Sequence, residues 1–275
     1  MNKVKIFFMH VFLIIASFIS VFPFLWMVIS MTNKSVDITK GRFLPGTHLV
    51  ENLKNLFANY DIAAALQNSF LLAMATTILA LLISSMAGYG FVIHRSRGKE
   101  IVFKILLLSM MIPFASIMVP LYRFFGRITN VVPAAGIDTL VAAMLPTITT
   151  AFLIFFFRQN AKMFPRELVE AGRIDGLGEF GIFFRIFIPT MKNTYAAAAI
   201  ITFMSSWNNY MWPLVILQSP EKQTIPLLIS KLGAAYAPDY GVIYTAIVLS
   251  TIPTAIFFFL LQKHFVAGML GSVKG

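Results

Sequence analysis

The sequence predicts an all-α integral membrane protein, one membrane domain with six transmembrane helices, and three observations support that fold class. Of 275 residues, 58% are hydrophobic and only 12% are charged, with a mean hydropathy of +0.80; a soluble domain keeps about a quarter of its residues charged. Six stretches, roughly 6–31, 63–93, 101–122, 139–157, 194–217 and 242–261, provide the approximately 20 apolar residues that cross a bilayer core as a helix. The charges avoid these stretches: none contains Asp or Glu, and the single basic residue, Lys104, lies one turn from an end, where it can snorkel.

Taken in order, the first stretch follows Lys3 and Lys5 as a signal peptide would. Its 26 residues exceed the apolar core of such a peptide, and no small-residue cleavage site follows, so it reads as a retained span. The segment 32–61 holds the turn residues Gly41, Pro45 and Gly46, and a short surface helix is expected near 49–59. The second and third stretches flank a short basic loop, 94–100. Between the fourth and fifth lies the longest polar connection, 158–193, at 36 residues. With the N-terminus inside, inner segments carry 14 Lys and Arg against 8 outside, which predicts both termini in the cytoplasm.

Composition also narrows the chemistry. The chain has no Cys, and its four His (His10, His48, His94, His264) lie far apart, so no metal site is expected. A net charge of +11 on so apolar a chain points to anionic lipid rather than nucleic acid. The spans hold no carboxylate relay of the kind proton-coupled transporters use. Gly98-Lys99 is followed by Glu100 and belongs to no phosphate-binding loop. Uphill transport would therefore draw its energy from another polypeptide; a channel or facilitator satisfies the same exclusions. A multispan membrane enzyme would need a polar catalytic cluster, and 158–193 has neither His nor a metal set. Pro23, Pro113, Pro120, Pro146, Pro213 and Pro253 lie in or near the spans, where freed carbonyls need neighbours or a water-lined cavity.

The segment 158–193 has the most distinctive pattern. Pro165 suits a first helical turn and Glu167 complements the helix dipole there. Leu168, Ala171 and Asp175 share one side, and Asp175-Gly176 turns the chain. Phe180, Phe183, Phe184 and Phe187 are expected on one apolar face of a second helix ended by Pro189. An interfacial amphipathic hairpin that merely anchors a loop accounts for this pattern as well.

Glu170-Ala171-Gly172, Asp175-Gly176 and Ile186-x-Ile188-Pro189 resemble the EAA signature of ABC importer permeases. Gly172 stands where Ala is usual. Further similarity lies in Asn68-Ser69, Met111-Ile-Pro113, Val119-Pro-Leu-Tyr122, Phe157-Arg-Gln159, the segment Ser206-Trp-Asn-Asn-Tyr-Met-Trp-Pro213 and the tail 262–275. Nearly the whole chain is similar to the shorter, six-span permease of maltose-type carbohydrate importers, which implies a type I ABC importer permease fold.

The resemblance implies a division of labour. Glu170, Ala171 and Gly172 would meet a cytoplasmic ATPase, Asp175 and Gly176 would set the following bend, and Pro189 closes the motif. ATP and Mg would be used by two partner ATPase subunits, with no cofactor and no catalytic residue in this chain. A second permease chain would complete the pathway, and a periplasmic or extracellular sugar-binding protein would meet segments 32–61 and 218–240. Trp207, Asn208, Asn209, Tyr210 and Trp212 are candidates for contact with a di- or oligosaccharide, while Asn208 and Asn209 could equally join helices across the permease pair.

Overall fold

The structure is a computed structural model that describes the backbone of residues 3–271 and the side chains of residues 5–263. It is helical, with no strand among the described residues. An apolar run has one inexpensive solution in lipid, a continuous helix that bonds its own backbone, and single prolines such as Pro23 and Pro253 are accommodated within it. Three helices adopt it: α1 (Lys3–Ser30), α4 (Ile62–Ile93) and α15 (Tyr240–Gly271), each long and apolar enough to span a membrane.

The other apolar stretches are broken, and in two of them a proline marks the break. The stretch expected at 101–122 is not one rod: α5 (Arg97–Ser109) and α6 (Phe114–Val131) meet at 100°. Pro113 has no N–H to donate and disfavours helical backbone at Ile112, so one helix stops and Pro113 caps the next. In the stretch expected at 139–157, α7 (Leu140–Met144) passes through a 3-10 turn at Pro146 before α8 (Ala151–Ala161), with a 46° bend. Thr139 and Thr150 cap these helices by accepting from the N–H groups of Ala142 and Leu153. Counting each bent pair as one span gives five. A sixth, at 194–217, requires α12 (Lys192–Trp207) and α13 (Met211–Ile216) to act together across a break at 208–210.

The chain divides into two compact units. One comprises Met1–Ala63 and Leu227–Ile252. It holds α2 (Ser35–Thr39) and α3 (Leu49–Asn59), the latter at the expected surface-helix position. Two buried asparagines tie it together. Asn52 Nδ2 donates to the carbonyls of Met31 (2.9 Å) and Asn33 (3.0 Å), while Asn33 Nδ2 donates to those of Ile29 and Leu44 (3.0 Å each). A Cβ on Gly241 would fall 2.8 Å from the Asn52 amide, so α15 packs here only because that residue is glycine.

The second unit comprises Ala64–Pro226 and Pro253–Gly275. Gly88 brings α4 onto α8, for a Cβ there would lie 2.7 Å from Phe157 Cβ and 2.8 Å from the Arg158 nitrogen. Phe203 of α12 is fully buried and stacks on Phe257 at 4.0 Å. The unit also holds α9 (Arg166–Ile174), α10 (Glu179–Ile182), a π turn at Phe183–Phe187 and α11 (Ile188–Thr190).

Candidate functional site

The segment after α8 builds a small platform. Pro165 precedes α9, Glu167 lies in its first turn and Arg173 in its last, both matched to the helix dipole. Val169 and Gly172 are buried, whereas Glu167, Leu168, Glu170, Ala171 and Asp175 are exposed. The glycine at position 172 therefore has an inward cause. A Cβ there would lie 2.8 Å from Ile186 Cδ1 and 3.1 Å from Ile182 Cγ1. Of the adjacent small residues, only Ala171 remains on the exposed face.

Asp175 and Gly176 end α9. Gly176 adopts φ +79°, its N–H bonds the Arg173 carbonyl at 3.1 Å, and the Leu177 N–H bonds the Gly172 carbonyl at 2.9 Å. This is the Schellman pattern, in which a left-handed residue satisfies the last helix carbonyls. The next segment differs from the expected single apolar face. Phe183 and Phe187 are buried, but Phe180 is 68% exposed and Phe184 49%. Pro189 does not end the helix either; the trace stays helical through Thr190. Upstream of this proline the Ile188 N–H reaches the Phe183 carbonyl, the wider hydrogen-bond spacing of a π turn.

A carboxylate joins the platform to α4. Glu179 Oε1 accepts from Arg173 Nε (3.1 Å) and Nη2 (2.8 Å), while Oε2 accepts from the Tyr89 hydroxyl (3.3 Å) and lies 3.0 Å from His94 Nε2. Hydrogen bonding from Arg173 holds this carboxyl below the usual range, against the opposing effect of burial. A second ion pair joins α8 to α5: Arg158 Nη2 donates to both oxygens of Glu100 (2.6 and 2.7 Å), and its guanidinium carbon lies 3.8 Å from the Phe103 ring centre. A cleft of about 660 Å³ opens here between Arg95, Arg158, Lys162 and the start of α9.

Farther along the second unit, α12 breaks at 208–210. Trp207 is buried against Phe203, and Trp212 is fully buried with its Nε1 donating to the Ala142 carbonyl at 2.9 Å. Neither indole offers a ring face to a ligand in this conformation. Asn208 is exposed and donates to the Met204 carbonyl at 2.8 Å. Asn209, by contrast, lines a cavity of about 230 Å³ with Thr76, Thr147, Thr150, Thr202 and Ser205.

At the far end of α13, Asp138 clamps the following turn. It has φ +63°, and its carboxylate accepts from the backbone N–H of Gln218 (2.8 Å) and Ser219 (3.0 Å), from the Ser219 hydroxyl and from Lys222 Nζ (3.3 Å). On the other side of that turn Asn68 donates to the carbonyls of Glu221 (2.8 Å) and Gln223 (3.1 Å), and the Ile225 N–H bonds Ser69 Oγ at 2.8 Å.

Sequence patterns indicated the α9 motif and, within Phe157-Arg-Gln159, the position of Arg158, but not the hubs Glu179 and Asp138, nor the hydroxyl-lined cavity. A faint signal existed for Arg158, a lone cation closing a Phe-rich run, and for Glu100, the one acid of a basic loop. The tail similarity falls on 262–275, of which residues 264–275 lie outside the described side chains.

Comparison with known proteins gives a consistent result. Residues 80–271 match the family model described as binding-protein-dependent transport system inner membrane component. The chain is 47% identical over 260 residues to the lactose transport system permease protein LacG of Rhizobium radiobacter, covering 94% of this chain and 93% of that protein. It is 35% identical over 265 residues to the arabinooligosaccharides transport system permease protein AraQ of Halalkalibacterium halodurans, covering 94% and 93%. Its fold is similar to a chain of a bacterial ABC transporter involved in the import of the acidic polysaccharide alginate, with a TM-score of 0.82 at 20% identity, covering 96% of this chain and 99% of that one.

Proposed function

This chain belongs to the family of binding-protein-dependent transport system inner membrane components, and from that premise we propose that it is the short permease subunit of an ATP-driven importer for a di- or oligosaccharide. Two cytoplasmic ATPase subunits hydrolyse ATP with Mg, a second permease completes the pathway, and a sugar-binding protein delivers substrate from outside. The chain itself contributes no catalytic residue, binds no cofactor and acts as a two-state gate biased by its partners. Both termini face the cytoplasm, on the charge asymmetry of the loops.

The observation that carries this reading is the construction of α9. Glu170 and Ala171 stand on an exposed face of a helix whose other face is fixed by Val169 and Gly172 and whose end is fixed by Gly176. Such a helix can dock in a partner's groove and pass its displacement to the core. Relatives that are lactose and arabinooligosaccharide permeases support the substrate class.

Two experiments test it. A tagged chain purified from native membranes in mild detergent should bring down an ATPase with a phosphate-binding loop and a second multispan permease. Glu170→Lys should abolish sugar-dependent ATP hydrolysis by the assembly while leaving membrane insertion intact. Undiminished sugar-stimulated hydrolysis in that variant would remove Glu170 from the docking contact.

A further inference from the structure

In the cavity of about 230 Å³ between α4, the α7–α8 bend and the end of α12, polar side chains converge within the apolar stretches. Thr76 comes from α4, Thr147 and Thr150 from the bend, Thr202 and Ser205 from α12, and Asn209 from the break that follows. Each carries a hydroxyl or amide, which can both donate and accept, and no ionisable side chain lines the space.

Hydroxyls in apolar helices usually satisfy themselves on the carbonyl one turn back. Thr77 does so, donating to the Ala73 carbonyl at 2.7 Å, and Thr147 donates to the Met144 carbonyl at 2.7 Å. Thr76 does not. Its residue is 1% exposed and its Oγ1 has no hydrogen-bond partner. A buried hydroxyl left unpaired costs about 1–3 kcal/mol, and this one belongs to a residue that lines the cavity.

We propose that this cavity is a subsite for one neutral sugar ring, so that this permease chain itself holds part of the substrate during translocation. The inference rests on the importer function proposed above and adds to it both a location and a selectivity. The volume is below the roughly 300–1,000 Å³ of sites that take a whole drug-sized ligand, which matches a single ring of a longer sugar. A carboxylate or phosphate on that ring would enter without a cation to meet it, and an unpaired buried charge is far more costly than an unpaired hydroxyl. The site therefore rejects uronic and phosphorylated sugars. Phe152, 44% exposed at the cavity, offers the only lining aromatic ring.

The absence of Cys from the chain permits a direct test. The complete importer, with its ATPase, second permease and binding protein, is reconstituted carrying Ser205→Cys here, and the rate of modification by 2-aminoethyl methanethiosulfonate is measured by mass spectrometry. Lactose and arabinotriose serve as neutral probes and lactobionate as the acidic one. The neutral sugar that the wild-type importer accumulates should slow modification about fivefold or more, a protection equivalent to about one net hydrogen bond, and lactobionate should not. Equal rates with and without that sugar would overturn the subsite while leaving the importer function intact. Uptake of neither neutral sugar by the wild type would instead overturn the proposed substrate class, and the subsite with it. Thr76→Val, which keeps the shape and removes the hydroxyl, should lower uptake kcat/KM about three- to tenfold, with Thr76→Ser restoring it. A purely structural threonine would lower assembly yield in Thr76→Val and leave kcat/KM per assembled complex unchanged.

Discussion

Asp138 adopts a backbone conformation that side chains rarely take, φ +63°, and is held there by its own bonds. Its N–H donates to the Ile216 carbonyl at 2.8 Å while its carboxylate receives donors from Gln218, Ser219 and Lys222. Burial pushes the carboxyl upward, but the hydrogen bonds outweigh it and hold its pKa at about 2. Because the folded value is depressed below the ordinary aspartate value of about 3.9, the stabilisation is complete above about pH 4 and fades as pH falls towards 2. The Asp138→Ala variant should therefore unfold at a lower temperature than the wild type at pH 7, with amide exchange at Gln218 and Ser219 accelerated roughly tenfold. The difference between the two proteins should close between about pH 4 and pH 2. A gap that persisted unchanged at pH 2 would show that the carboxylate is not its source. Gly172 and Gly176 illustrate two other reasons for a special residue: the first lacks a Cβ because Ile186 occupies the space, the second because its φ is +79°.

At the scale of elements, Glu179 ties α9 to α4. Four donor contacts from three residues meet one carboxylate, and two of those residues, Tyr89 and His94, belong to α4 or the turn just after it. Each ion pair is about half exposed and by itself worth little. Their shared hub, however, sets the register of α9 on the core. Glu179→Gln should leave co-purification of the ATPase intact while lowering sugar-stimulated hydrolysis roughly three- to tenfold. The exchange Arg173→Glu with Glu179→Arg should recover part of the loss. Full stimulation in Glu179→Gln would mean the hub plays no part in coupling. This network also marks the limit of what sequence made legible. The cap at Pro165, the turn at Asp175-Gly176 and the α3 helix follow from residues a few positions apart, and local chemistry foretold them. Glu179 and Tyr89 are 90 positions apart, and no local pattern joins them. Trp207 and Trp212 show the opposite case: an aromatic pair beside Asn suits sugar stacking on composition, and in this conformation packing against Phe203 and Ala142 occupies both. Proline positions announced breaks, yet the 100° turn at Pro113 and the mere presence of Pro120 within α6 depend on which carbonyls the surroundings satisfy.

For the whole molecule, hydropathy identified the class because crossing lipid is a property of composition, independent of which helix touches which. Orientation is a separate question, and it determines whether α9 can serve its proposed purpose. The count of 14 basic residues inside against 8 outside favours cytoplasmic termini, and the same orientation puts segment 158–193 where ATP is. The two are linked: reversing the chain would carry Glu170 to the side that lacks ATPases. The Cys-free background again permits the measurement. Lys34 and Arg97 are both exposed, one just after α1 and the other at the start of α5, on segments assigned to opposite faces. In intact cells Lys34→Cys should react with a membrane-impermeant maleimide, and Arg97→Cys should react only after permeabilisation. The reverse pattern would place α9 outside and exclude ATPase docking, whatever its helix geometry. Labelling of both sites in intact cells would mean that an even number of crossings separates Lys34 from Arg97, so that α4, the apolar helix between them, does not cross the membrane once as assigned.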